Sequence, residues 1–485
     1  MPHEGYYEAS LRPPALDDAP AAKDWGEVLL DRVAYMVDKK NHTSVNLQFK
    51  RDLDGKEVDL WVTLCFAWPP RLSYFCCHAS CPNDKEEDTR LFFREPFVFA
   101  TEGNLAVITL CHGRSRPSAF GSKKNNYEYL VPSVAALPKE DEDFDAHRIV
   151  ALAYDYFHDS GNSPHGPYYL CIYDSKTQVW TRKPAAIPQP LLPFDYICDI
   201  DMVITIGGSS RGIMGWVDLW NGILFSDVLA DHTPCSPLRY VSLPKPRQPQ
   251  NCLPIPLDIG CRFRDIVFVK DSGIIRFVDL QIHTDPNIPY SETPSGWTVV
   301  TWILEGLNEG LEIQGGLSFR QEHELRSSDI SNYNLPQSLF VTNPILSAHE
   351  DGFLYLRTNV SSRTSSNSRV ITVDIKHGKL LDVQDFDMQR PNTYMRTAIS
   401  SHLMPPGFVS CGFKGEGQGF LFHTKNLFFF VQFQRRICND ERQCLRDPLA
   451  RSHSISLSSL PTQRKKERMM RGMRWTHSRW FVEVI

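Results

Sequence analysis

The chain has 485 residues, 42% of them hydrophobic and 22% charged, with 52 Lys and Arg against 57 Asp and Glu for a formal net charge of −5. That is enough apolar material for a sizeable core, which excludes wholesale disorder and fibrous architectures, and too even a balance to point the whole chain at nucleic acid or a membrane surface. Its 13 cysteines are odd in number and scattered, which suits reduced thiols rather than a disulfide framework.

Residues 1–23 are rich in Pro, Ala and Asp without sustained period, and read as a flexible leader. No apolar segment with a basic flank opens the chain, and the longest apolar runs, such as the one from Leu427 to Phe433, are far shorter than the ~20 residues of a membrane span. The expected location is therefore the cytoplasm or nucleus, without secretion or membrane insertion. From Trp25 onward short apolar runs dominate. Val58, Leu60, Val62, Leu64 and Phe66 alternate with Asp59, Trp61, Thr63 and Cys65 behind an Asp54-Gly55 turn, the period of a half-buried strand. Further strands are expected at Phe97–Ala100, Leu105–Leu110, Ile149–Tyr156, Tyr168–Tyr173, Met202–Ile206, Ile266–Val269 and Ile274–Val278. The series continues through Trp297–Ile303, Phe353–Leu356, Val370–Val373 and Leu427–Phe433. Asn221-Gly222, Asp271-Ser272-Gly273 and Asp351-Gly352 suit tight hairpins. With 34 prolines and few capped helical periods, the class is all-β.

A weak repeat runs through these strands: an apolar strand ending in Asp, a short turn, then a second apolar strand. Asp174, Asp218, Asp279 and Asp374 mark its copies at spacings of 44, 61 and 95 residues, which fit one blade, one blade with an insertion, and two blades of a propeller. Small sheets of this kind bury both faces only by stacking around a ring. The expected architecture is a β-propeller-like core of about six blades over residues 24–433. A sandwich or a two-domain β arrangement is the competing reading. The four Asp read as strand-end residues accepting backbone N–H bonds. Beyond 433 the composition turns basic and polar, and residues 434–485 read as a disordered tail. There Arg464, Lys465, Lys466 and Arg468 could form a nuclear-localisation signal or phosphate contacts.

Motifs for chemistry are incomplete. Gly208-Ser209-Ser210-Arg211-Gly212 has nucleophile-elbow spacing, but strands on both sides make it a hairpin turn. Cys76, Cys77, His78 and Cys81 form one cluster where structural zinc needs four converging ligands, and a strand would send Cys76 and Cys77 to opposite faces. Cys438 and Cys444 have no matching pair. Gly415-Glu416-Gly417-Gln418-Gly419 precedes a strand rather than a phosphate-binding helix N-terminus, and His323-Glu324 lacks the second His of a zincin. No catalytic, cofactor-binding or metal residue is assigned, and no cofactor is expected.

One phrase is more specific. Gly215-Trp216-Val217-Asp218-Leu219-Trp220-Asn221-Gly222-Ile223-Leu224, with Val28 to Tyr35, Asn41-His42-Thr43, Pro69-Pro70, Ser73 to Cys76, Arg264-Asp265, Phe277-Val278-Asp279, Trp297-Thr298 and Thr301-Trp302, resembles a plant family expanded in grasses, the domain of unknown function 1618 (DUF1618) family. The resemblance covers roughly residues 25–405, with the named domain near 210–345. It implies a propeller-like all-β fold similar to the blades attached to F-box proteins, and no established activity, cofactor or catalytic residue. Trp216, Val217, Asp218, Leu219, Trp220 and Gly222 are read as a structural motif. The expected role is a non-enzymatic scaffold for protein–protein interaction, with nucleic acid reached only through the basic tail. A substrate-recognition component of a ubiquitin ligase with an F-box partner in trans is one alternative. A hydrolase assembled from several blades is the other.

Overall fold

A computed structural model describes residues 7–16, 27–41, 43–50, 57–80, 95–102, 105–109, 148–154, 168–174, 177, 179–186, 200–206, 212–230, 236–246, 260–284, 294–306, 317–331, 335–336, 339–359, 367–387, 394–397, 411–412, 419–424, 427–432 and 481–484. Among the described residues there are strands and short 3₁₀ turns, and no α-helix. Alternation explains Glu57–Cys65, in which Val58, Leu60, Val62 and Leu64 are buried while Asp59 and Trp61 are half-buried. A continuous apolar run explains Ile213–Asp218, buried at every position because neighbours cover both its faces.

Among the described residues the strands form six sheets of four or five. In chain order, the first is the meander Val45–Lys50, Glu57–Cys65, Leu72–Ser80, extended by Val28–Asp31 and then Tyr394–Thr397. The second joins the hairpin Phe97–Glu102, Leu105–Thr109 to Leu427–Gln432, Gly419–Thr424 and Cys411–Gly412. The third is Arg148–Tyr154, Tyr168–Asp174 and Val179–Ala186, edged by Ser236–Pro237 and Phe481–Val484. The fourth, fifth and sixth are four-stranded antiparallel meanders. Their strands are Met202–Ile206, Ile213–Asp218, Gly222–Asp227 and Arg239–Ser242; then Arg264–Val269, Ile274–Thr284, Pro294–Leu304 and Arg320–Arg326; then Phe340–Leu346, Phe353–Asn359, Asn367–Asp374 and Lys379–Asp387.

Five apolar layers join the sheets in one row. Val28, Leu30, Leu60 and Phe75 of the first meet Val98 and Ile108 of the second. On its other side Leu29, Leu72 and Tyr394 meet Ile345, Tyr355 and Val370 of the sixth. Sixth and fifth share Leu354, Ile371, Val278 and Trp297. Fifth and fourth share Ile266, Phe277, Val217 and Phe225. Fourth and third share Trp216, Leu224, Leu152 and Leu170. Each such side chain contributes about 1.5–3 kcal/mol on leaving water.

Several expectations change. Within the segment expected to be a flexible leader, Glu8–Leu11 form a 3₁₀ turn with Ala9 and Ser10 buried. Within the tail expected to be disordered, Phe481–Val484 pair antiparallel with the strand Arg148–Tyr154. The Asn221-Gly222 hairpin is not a two-residue turn: Asp218 pairs with Gly222, leaving three residues between, and Gly222 is not among the glycines with positive φ. A glycine is needed there for room, since a Cβ would lie 2.4 Å from Tyr240 Cε2 and 2.5 Å from the Val241 carbonyl oxygen. Of the four repeat aspartates, Asp174, Asp218 and Asp374 do accept backbone N–H bonds at strand ends. Asp279 lies inside the strand Ile274–Thr284 and pairs with Arg264 instead. Asp54-Gly55 lies outside the described residues.

Candidate functional site

The motif around Trp216 is a joint between sheets. Trp216 packs into the layer toward the third sheet, while Val217 and Leu219 pack toward the fifth. Asp218 folds the connection back on itself: its carboxylate accepts the backbone N–H of Trp220 at 2.9 Å and of Asn221 at 3.1 Å, and the Asn221 side-chain amide at 2.8 Å. Into this turn comes Arg264 of the fifth sheet. Its side chain is wholly buried, its Nε donates to Asp279 Oδ1 at 2.7 Å, and its remaining nitrogens donate to the carbonyls of Leu219 at 2.9 Å and Pro244 at 3.3 Å. The guanidinium lies 4.8 Å from the Trp220 ring centre and 5.3 Å from that of Phe277. Burial lowers the Arg264 pKa, and Asp279 works against that by favouring the charged form. Trp216, Val217, Asp218, Leu219, Trp220 and Gly222 thus form and brace one turn.

Asp265, the next residue, faces the other way and opens the stronger candidate, where the first, fifth and sixth sheets meet. Asp265 Oδ2 accepts the Leu346 backbone N–H at 2.9 Å and a bond from Arg396 Nη1. Arg396, from the strand Tyr394–Thr397, also donates to the carbonyl of Leu346 at 3.0 Å and to that of Ile266. One guanidinium from the first sheet therefore ties to it the backbones of the fifth and sixth. Beside it Tyr394 donates its hydroxyl to the Asn343 carbonyl at 3.0 Å, and burial pushes that phenol above its ordinary range. Asn343 has φ of +52°, the only non-glycine in the left-handed region among the described residues. It sits where the pairing of Phe340–Leu346 with its neighbour slips. A bulge and a left-handed residue together commonly re-aim a strand at a functional position.

The rim of this junction is polar and exposed. Cys261, Arg262 and Asp201 are solvent-accessible. Asp201 also accepts the Leu219 N–H at 2.9 Å. Desolvation and then Asp201 raise the Cys261 thiol pKa, while Arg32 and Arg262 oppose them. Arg32 has its own pKa pulled down to about 10 by burial. A thiol held in its neutral form is a poor nucleophile. Asp265 Oδ2 takes two donors, one from the sixth sheet and one from the first, so the carboxylate helps to hold the junction together.

Other candidates from the sequence fall apart or fall outside. Met202–Ile206 pairs antiparallel with Ile213–Asp218, so the Gly208–Gly212 spacing joins two strands of a hairpin rather than a strand and a helix. Cys77 packs against the second sheet and Cys76 faces Tyr35, Cys65 and Tyr74 on the opposite side. Among the described residues no three His, Cys, Asp or Glu side chains gather as metal ligands. None of the helices among them is long and apolar enough to cross a membrane. Cys81, Gly415 to Gln418, Cys438, Cys444, Arg464, Lys465, Lys466 and Arg468 lie outside the described residues. Sequence reasoning missed Arg396 and Asn343. The Asn343-Pro344 dipeptide inside an apolar run was the available signal for a break in pairing, whereas nothing local distinguishes Arg396.

No curated protein matches the chain. Residues 216–355 match the model of a family described as protein of unknown function (DUF1618). The match begins at Trp216 and takes in Arg264, Asp265, Asp279 and Asn343, with a later end than the expected 345. That match supports the resemblance to the DUF1618 family over residues 216–355.

Proposed function

We propose that the six sheets are the blades of a β-propeller and that the chain is a non-enzymatic scaffold, presenting the Cys261–Arg262 rim to another protein. The row of five apolar layers supports the ring, because meanders that bury both faces against successive neighbours are what blades do. Return of the strand Tyr394–Thr397 to the first sheet fits a ring closed by joining early and late segments. The scaffold reading rests on one observation above all: the polar junction ties the backbones of the fifth and sixth sheets to the first, leaving exposed Arg262, which makes no ion pair among the described residues, at the edge of a braced platform. Loops carried on rigid rings commonly serve as binding faces. Scattered cysteines support a cytoplasmic or nuclear setting.

The test uses the full chain, because deleting residues 434–485 would also remove a strand of the third sheet. Wild type, Arg262→Glu, and a form with Arg464, Lys465, Lys466 and Arg468 changed to Gln are used as bait in cell extract. The expected result is a protein captured by wild type and by the tail variant and lost with Arg262→Glu. Capture of a Skp-type or cullin protein would move the reading to ubiquitin ligation. Capture lost only with the tail variant would move it to the tail. No specific capture at all would overturn the scaffold.

A further inference from the structure

Away from this junction, the first sheet carries a second group of reactive side chains. Cys65 and Cys76 are buried, with their sulfurs 4.0 Å apart. They stand on adjacent strands: Cys65 is opposite Tyr74 and Cys76 opposite Thr63, so the two thiols are diagonal neighbours on one face. Tyr35 and Tyr74, in edge contact at 4.8 Å, wall the pair, with Leu16 and Val37 packed against it. Lys39 donates to the Tyr74 hydroxyl at 3.1 Å, and that hydroxyl donates to the Pro14 carbonyl at 2.8 Å.

Pro14 and Leu16 belong to the strap 7–16, which is fixed at several points. Met36 N–H donates to the Ser10 carbonyl at 2.8 Å, and Glu95 accepts from the Tyr7 N–H at 2.7 Å and the Ser10 hydroxyl at 2.8 Å. A cover built over two facing thiols is more than hydrophobic packing requires, since Cys77 of the same strand is buried without one.

We propose that Cys65 and Cys76 are a hydroperoxide-sensitive thiol pair that closes reversibly to a disulfide, with the strap 7–16 controlling access to it. The Cys65 thiolate attacks one peroxide oxygen, the O–O bond breaks, and the leaving oxygen departs as water or an alcohol after taking a proton. Cys65 is then a sulfenic acid. Cys76 attacks the Cys65 sulfur, the S–O bond breaks, and hydroxide takes the Cys76 proton to leave as water. Two thiols are oxidised by two electrons and one peroxide is reduced. The sulfurs must approach by about 2 Å to reach bonding distance. Diagonal positions usually stand about 7–8 Å apart, beyond the span of a relaxed disulfide, so closure must draw the two strands together and favours a labile bond over a permanent staple. The charge distribution agrees: the bond from Cys76, with Lys39 nearby, holds Cys65 below the ordinary thiol range against desolvation, while Cys76 is pushed up. Cys65 is therefore the attacking group and Cys76 the resolving one.

The full-length chain is treated with graded hydrogen peroxide, then alkylated, digested and analysed by mass spectrometry, with exposed Cys261 as internal comparator. The expected result is a Cys65–Cys76 linked peptide that forms at doses no higher than those oxidising Cys261 and disappears on reduction. In Cys76→Ser, Cys65 should instead accumulate as a sulfenic acid trapped by dimedone. Tyr74→Phe, which removes the hydroxyl tie to Pro14, should speed alkylation of Cys65 by about tenfold with little change at Cys261. If Cys65 and Cys76 stay separately alkylatable after Cys261 is fully oxidised, the proposal fails. Linkage that forms with Cys65 alkylation unchanged in both Tyr74→Phe and Leu16→Ala would overturn the role of the strap.

Discussion

Among the joints between sheets that carry a buried charge, two solve the same problem in opposite ways. Between the fourth and fifth sheets, Arg264 has a buried counter-ion, Asp279, two carbonyls and two aromatic faces. Between the first and sixth, Glu27 is buried with a hydroxyl and an amide: it accepts from Ser347 Oγ and, at 2.8 Å, from the Ala348 N–H. Arg396 and His349 act on it only through space, and burial raises its pKa despite them. The arginine keeps its charge because the opposite charge is buried with it. The glutamate has hydrogen bonds without a buried counter-charge, so its neutral form gains.

The sharpest test of that contrast is Arg264→Met. It leaves Asp279 buried without its cation and should destabilise by about 3–5 kcal/mol, read by chemical denaturation. The double variant with Asp279→Leu should recover much of the loss, since an apolar pair of similar volume removes the uncompensated charge. If the double variant is as unstable as the sum of the single ones, the pair is not what holds this joint. Gly222→Ala probes the same joint from the turn. Its Cβ has no room against Tyr240 and the Val241 carbonyl, and moving the turn draws the Leu219 carbonyl from Arg264. A loss of about 1–3 kcal/mol is expected, in line with overpacking. An unchanged melting temperature would mean that the turn is loose and that Arg264 is held by Asp279 alone.

These two joints differ as much in legibility as in chemistry. Asp218, Arg264 and Asp279 stand inside apolar strand phrases, so their positions and the strands around them could be read directly. Their partnership is less direct: periodicity places Asp279 at a strand end, and it is the antiparallel register of Arg264–Val269 with Ile274–Thr284 that sets it opposite a residue 15 positions earlier. Glu27, Ser347 and Arg396 were invisible. They lie hundreds of residues apart in part, and no local pattern marks a carboxylate whose ligands come from another sheet. The strand Arg320–Arg326 was missed for a related reason, since its composition is almost wholly polar and it forms by pairing at the edge of the fifth sheet. Cys76 was read as a buried thiol, but the closeness of Cys65 depends on strand register, which the apolar pattern alone does not pair.

Glu27→Gln should change stability less, and with a pH signature. A carboxyl whose folded pKa is raised contributes stability that is fully present below its unfolded value and is lost as pH rises through the folded one. Wild type should therefore lose stability as pH rises from about 4.5, the ordinary value, through the raised folded value, while Glu27→Gln should be flat over that span. The glutamine oxygen can still accept, from the Ala348 N–H or from Ser347 Oγ. At neutral pH the variant should equal or exceed wild type, and near pH 4 its advantage should vanish. Arg396, His349 and Tyr355 remain as titrating or charged neighbours in both proteins, so the difference between the two curves isolates Glu27. A variant that is much weaker at neutral pH would mean the carboxylate is ionised and held there by Arg396, which would make the two joints alike.

The smallest effect is expected at Asp351, where the fifth and sixth sheets share an ion pair whose carboxylate is exposed and whose guanidinium is buried. Its carboxylate meets Arg276 Nη1 at 2.7 Å and also Lys376, and Arg276 is held on its other side by Glu322. Desolvation pushes Asp351 up, but Lys376 and Arg276 together bring it below 3.8. The side chain is 55% exposed, so water screens most of the attraction and Asp351→Asn should lose about 1 kcal/mol or less. The sign is opposite to that of Glu27. A depressed carboxyl stabilises above its unfolded pKa and stops doing so as pH falls through the folded one. Wild type and Asp351→Asn should therefore differ at neutral pH and converge below about pH 3.8. Added salt should shrink the neutral-pH difference at Asp351 while leaving Arg264–Asp279 nearly unaffected, because ions screen an exposed pair and scarcely reach a buried one. A salt-insensitive Asp351 would place it with the buried pair and show that the distinction is not one of solvent access.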